Sequence, residues 1–184
     1  IQNAFLDGFR NSNSTHTIQN PQFLNNGRYP YYFLNPNANP VHTGNTYTGN
    51  VINRIALEGG QYPWDRTLTN DNVPYLALND IIMAQYAGHS KLTLDPGVIL
   101  EFAVGKKLQL GYGSSSGGDL YAVGTAGSQI TLRPFNGVAG GWEGIYFTDQ
   151  NDNWSGTSTM KYCTIEKGNL YNINCENSGQ PSME

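Results

Sequence analysis

The groups of this chain suited to acid–base or metal chemistry are fourteen carboxylates and three histidines. Their spacing forms none of the arrangements such chemistry uses. His16, His42 and His89 lie far apart in polar segments. Asp65, Asp71, Asp80, Asp95, Glu101, Glu143 and Glu166 are scattered singly, so no paired acid suggests the two carboxyl groups that glycoside hydrolysis places on either side of a bond. Asp95 opens an Asp-Pro-Gly and reads as a turn residue. No nucleophile elbow, phosphate loop or zinc pattern occurs. The acidic stretch Thr148–Gly156 offers oxygen ligands of the kind calcium takes, with Asp149 and Asp152 as a weak candidate pair. Its spacing is not that of an EF-hand and no glutamate closes it, so a solvated turn is the better reading. No metal and no cofactor is expected.

Aromatic and modifiable residues give the remaining chemistry. Tyr29, Tyr31, Tyr32 and Phe33 stand together within residues 27–44, a stretch that also holds Pro30, Pro36 and Pro40. A regular ladder does not tolerate that density of proline, so the stretch is expected as a loop excursion. Its rings suit stacking on a glycan; packing over a core edge or a neighbouring subunit is the competing reading. Asn13 and Asn153 begin Asn-Xaa-Ser/Thr triplets, which accept N-linked glycans. Cys163 and Cys175 form either a disulfide in an oxidising compartment or two buried thiols acting as small hydrophobes.

The elements around these groups are short strands. Between Lys91 and Gly168 apolar pairs recur two residues apart: Leu92/Leu94, Leu108/Leu110, Leu120/Ala122, Ile130/Leu132 and Ile145/Phe147. That spacing puts both members on one face of a strand. Gly, Asp-Pro-Gly, Ser-Gly-Gly and Thr-Ala-Gly separate them, and these are turn formers. Asn and Gly are abundant, and both tolerate left-handed backbone at corners. The chain has 184 residues, a formal net charge of −4 and 13% charged residues. No basic cluster points to nucleic acid and no apolar run approaches a membrane span. The chain opens on Ile1 without a signal-peptide pattern in its first residues, and is expected to be a mature or excised piece of something longer.

The phrases LTLDPGVILEF (92–102), GDLYAVGT (118–125), ITLRPF (130–135) and GWEGIYF (141–147) resemble those of right-handed parallel β-helix proteins of the secreted and cell-surface type. The resemblance is dense over 73–168. It implies an all-β solenoid over 1–184: N-terminal coils in 1–60 with the excursion at 27–44, a polar connection at 61–72, and the main coil series at 73–184. In such stacks corner asparagines bond the backbone of the next coil. Twelve residues between the cysteines is about half a coil, which often separates side chains onto different walls.

Polysaccharide lyases and hydrolases share this fold. The galacturonan hydrolases among them carry NTD, DD, GHG and RIK strings, none of which occurs here. Gly88-His89-Ser90 is only superficially similar, and no regular TxT array marks an ice-binding face. The favoured expectation is therefore a non-catalytic, extracellular or cell-surface segment with a structural or adhesive role. A carbohydrate-binding or polysaccharide-cleaving β-helix is the alternative. Asn3–Ser12 matches Asn169–Ser178 at an offset of 166, which would set both ends at one phase of a coil. Self-association, head-to-tail with copies or with adjacent repeats, is then expected through Phe5, Phe9, Leu170, Tyr171 and Ile173.

Overall fold

The computed structural model describes residues 1–12, 15–37, 41–113, 116–148, 158–176 and 182–183, the backbone alone for 41–43 and 182–183. Among these residues there is no helix. The strands are β1 (Phe9–Asn11), β2 (Thr17–Gln19), β3 (Gln22–Leu24), β4 (Tyr31–Phe33), β5 (Val41–Thr43), β6 (Thr46–Thr48), β7 (Ile55–Leu57) and β8 (Gly60–Tyr62). There follow β9 (Arg66–Leu68), β10 (Tyr75–Ala77), β11 (Ile81–Met83), β12 (Gln85–Tyr86), β13 (His89–Leu94), β14 (Ile99–Phe102) and β15 (Lys107–Leu110). The last are β16 (Ser116–Val123), β17 (Ile130–Pro134), β18 (Gly144–Phe147), β19 (Thr159–Lys161), β20 (Cys163–Ile165), β21 (Ile173–Cys175) and β22 (Ser182–Met183).

From β7 onward the chain visits three sheets in rotation. The first sheet runs β1-β4-β7-β10-β14-β17-β20, the second β8-β11-β15-β18-β21 and the third β9-β13-β16-β19-β22. Earlier, β2 pairs with β5 and β3 with β6. All of these ladders are parallel; β12 adds an antiparallel pairing, to the start of β16, and isolated antiparallel bridges join Tyr112 to Ser116 and Thr125 to Ser128. A circuit takes from 20 residues (Ile55 to Tyr75) to 38 residues (Tyr121 to Thr159).

The alternating pairs line the interior. Leu92, Leu94, Leu108, Leu110, Leu120, Ala122, Ile130, Leu132, Ile145 and Phe147 are all buried in one core. Burying each of the Leu, Ile and Phe side chains contributes about 1.5–3 kcal/mol. Rings stack along the interior as well: Tyr31 on Phe33 with centroids 4.3 Å apart, Phe23 on Tyr47 at 5.3 Å and Phe102 on Trp142 at 4.7 Å. Trp142 satisfies its buried N–H by donating to the Glu166 carbonyl at 2.9 Å.

Two segments differ from the sequence reading. Residues 61–72, expected as a polar connection, hold the end of β8 and all of β9. Arg66 of β9 points inward and is buried, its guanidinium 4.8 Å from the Phe33 ring centre. Burial lowers its pKa, opposed by the nearby Tyr62, Tyr75 and Tyr31. Within 27–44, residues 31–33 are not an excursion, because β4 lies inside the first sheet between β1 and β7. Pro30 is tolerated there because it stands just before the strand, where its carbonyl accepts from Phe9 N at 3.0 Å. Between β6 and β7 Val51 is exposed.

The corners use asparagine as expected. Asn25 and Gly49 occupy one corner of successive circuits, with φ of 53° and 69°. Beside them Asn26 and Asn50 are buried and stacked. The Asn50 Oδ1 accepts from Asn26 Nδ2 at 2.7 Å and from Asn26 N at 3.1 Å. The Asn50 amide donates to Phe23 O at 3.0 Å and to Asn53 Oδ1 at 2.9 Å. Pro96 and Gly97 form the expected turn after Asp95, closed by Val98 N donating to Asp95 O at 3.1 Å.

Candidate functional site

The aromatic run is not a sugar platform. Tyr31 and Phe33 point into the core, where Phe9 meets Tyr31 edge-on at 5.2 Å and His16 Nε2 lies 2.9 Å from the Tyr31 hydroxyl. Tyr29 and Tyr32 lie on the outer face of the first sheet, yet they too are buried, against Ala56 and Leu76. The Arg28 guanidinium covers both rings, at 4.9 and 5.3 Å. The Tyr32 hydroxyl donates to Glu58. No ring of the four leaves a face open, which corrects the reading of Tyr29, Tyr31, Tyr32 and Phe33 as a stacking surface.

Burial has a consequence for these phenols. It raises the pKa of Tyr29, Tyr31, Tyr47, Tyr62 and Tyr75, and pushes Tyr32 up to about 12, assisted by Glu58. A folded-state pKa above the unfolded one favours the fold while the phenol is neutral. That contribution is complete below the ordinary tyrosine value and is lost as pH rises through the folded value. An alkaline titration followed by ultraviolet absorbance should therefore show a late group of tyrosines, Tyr32 among them at about pH 12, ionising together with loss of circular dichroism. Smooth ionisation of every tyrosine at its ordinary value, with the fold intact, would contradict this packing.

Cys163 and Cys175 are both free. They stand on different sheets, β20 in the first and β21 in the second, so their walls separate them. Burial raises both thiols, and Cys163 Sγ donates to Ala122 O at 3.1 Å. Asn13, Asn153, Asp149 and Asp152 lie outside the described residues. Among the described residues no group of three His, Cys, Asp or Glu side chains is placed to hold a metal.

Two charged constellations form from residues distant in sequence. Glu101, on the outer face of β14, is buried and receives Arg54 Nε at 2.6 Å and Arg133 Nη2 at 2.8 Å. On the third sheet His89 Nδ1 lies 3.0 Å from Asp119 Oδ2, both side chains largely buried. Burial raises Asp119 above the usual carboxylate value, and His89 opposes the rise. The His89 ring lies over Gly117, its register partner, where a Cβ would fall 2.7 Å from Nε2. The imidazole is thus shut in rather than presented, which suits a structural pair better than a catalytic one. Sequence reasoning missed the pairing because register, not proximity along the chain, creates it.

The residues expected to mediate association collect at the two ends of the stack. At the N-terminal end Phe5 is 93% exposed, joined by Leu6 and Ile1, which the sequence reading did not single out. This segment is held by Arg28, whose guanidinium donates to both Asp7 oxygens, and by Gly8 N donating to Tyr29 O at 2.9 Å. At the other end Leu170 is 75% and Tyr171 59% exposed, beside the half-buried Ile173. Phe9 differs from Phe5: it is half-buried and packs on the core. The 166-residue offset does not return the chain to one phase, since Phe9 lies in the first sheet and its match Cys175 in the second. Circuits of unequal length prevent any fixed offset from doing so.

No family model and no solved structure matches the chain. A stretch of 83 residues, 45% of this chain, is 40% identical to Protein bark beetle of Drosophila melanogaster, and it spans 2% of that protein's length.

Proposed function

We propose that the three-sheet rotation is a right-handed parallel β-helix, and that the segment is a structural, self-associating module at the cell surface or outside the cell. The observation carrying the association is the chemistry of the end rungs. β1 pairs on one side only, with β4, and β20, β21 and β22 are the last strands of their sheets. Such edges offer unpaired backbone groups to another chain. Exposed apolar side chains flank them, Phe5 and Leu6 at one end and Leu170 and Tyr171 at the other. In a stacked-repeat protein each unit is stabilised by its neighbours, so a further rung from a copy or an adjacent repeat continues the same contacts. The contact is head-to-tail, and repeated without closure it gives a filament or tandem array.

Light scattering and electron microscopy of the purified chain test this. Concentration-dependent, end-to-end assemblies are expected, and Phe5→Asp should shift them to monomers. Phe5 is the cleaner position, because Phe9→Asp would also loosen the first rung from the core. A monomer at every concentration, with Phe5→Asp indistinguishable from it, would reject the association.

A further inference from the structure

The connections between the second and third sheets carry an exposed ring in each of three successive circuits. Trp64 stands between β8 and β9, Tyr86 between β11 and β13, and Tyr112 between β15 and β16. They are 64, 78 and 54% exposed. None of the three meets another ring among the described residues. Tyr86 and Tyr112 are both antiparallel partners of Ser116. Residues directly opposite in such a ladder share a face. The two rings therefore flank a small, buried serine on one face.

The surroundings of this edge narrow what it takes. Among the described residues its members besides the rings are mainly Pro, Gly, Gln and Ala, so the sequence supplies little large apolar surface beside the rings. The charge of Asp65 is turned to the chain itself, its Oδ1 accepting from Lys91 N at 2.9 Å. Several backbone donors here are engaged: Ala84 N with Tyr62 O, Gly111 N with Met83 O and Tyr112 N with Ser116 O. That leaves little for an added peptide strand to pair with. Rings without an apolar floor, among small polar groups and with little free charge, suit a partner with apolar faces and a hydroxyl rim. Tyr86 and Tyr112 stand on either side of Ser116, two strand spacings or roughly 10 Å apart, about the length of two sugar units. We propose that this edge binds an uncharged oligosaccharide lying along the stack, its sugar rings resting on Trp64, Tyr86 and Tyr112. The proposal stands apart from the self-association of the end rungs and uses none of their residues.

The test is calorimetric titration of the chain with cellotetraose, mannotetraose and chitotetraose. At least one should bind saturably. Trp64→Ala and Tyr86→Ala should each weaken that binding about tenfold or more, a loss of about 1.4 kcal/mol per decade. Tyr121→Ala, an exposed ring on the strand of β16, should leave it unchanged, as should Phe5→Asp. All these positions are exposed, so circular dichroism should match the parent chain. The proposal is overturned if none of the three tetrasaccharides binds. It is equally overturned if binding survives both ring removals, or if the same edge takes a proline-rich peptide or a sulfated glycan in preference.

Discussion

Ile130→Asp is expected to unfold most of the chain. Ile130 is fully buried at the head of β17, pairs with Cys163 and lies within the larger buried core. The buried cluster to which Ile130 belongs is built of apolar side chains and aromatic rings. A buried carboxylate without a partner either stays charged at a prohibitive desolvation cost or takes a proton and still loses the packing. The combined loss should reach about 4 kcal/mol or more, the range reserved for core failures. It should appear as loss of the denaturation transition, or of soluble protein altogether. Lys106→Asp, on a corner, is the contrast: a shift within about 0.5 kcal/mol. A folded Ile130→Asp with an unchanged transition would mean that the pairs do not face one interior.

The second large effect is expected at a polar residue. Asn50→Leu keeps nearly the same volume and adds apolar surface, so a hydrophobic tally would call it favourable. The hydrogen bonds decide otherwise. The change strips the acceptor from Asn26 N and Asn26 Nδ2 and a donor from Phe23 O, all in a buried corner. Each unsatisfied buried group costs about 1–3 kcal/mol. A net loss of about 3 kcal/mol in urea denaturation is therefore expected, with hydrogen exchange accelerating first in the circuits that contain Asn26 and Asn50. Equal or higher stability would show that the asparagine stack is not what holds that corner.

The inward pairs were legible because a strand covered on one face alternates, and alternation is visible along a sequence. Tyr31–Phe33 was misread for the opposite reason. All three residues are buried, since Arg28 and neighbouring rings cover the outer face there, so no period of two remained and the flanking prolines dominated. The burial of Arg66 was not legible within the polar stretch 61–72, because nothing local reveals that its strand turns it onto the Phe33 ring. The His89–Asp119 pair and the aromatic corner of Trp64, Tyr86 and Tyr112 share another cause of invisibility. Each is assembled by register across circuits of unequal length, so no constant spacing marks it. The acceptance of Asn at left-handed corners, in contrast, is a property of the residue itself, and it was readable wherever Asn and Gly cluster.

The unequal circuits also shape how this chain would behave under load. The backbone ladder of each rung is bonded only to the rungs on either side, so tension between the ends of the stack peels the outermost one and leaves the rest intact. Every peeled circuit then pays out its own length of slack. At about 3.4 Å per extended residue, the shortest (Ile55 to Tyr75) releases roughly 70 Å and the longest (Tyr121 to Thr159) roughly 130 Å. The long circuits lie toward the C-terminal end. A pull that frays that end first therefore meets the most compliant part of the stack before it reaches the short, stiff circuits of the middle.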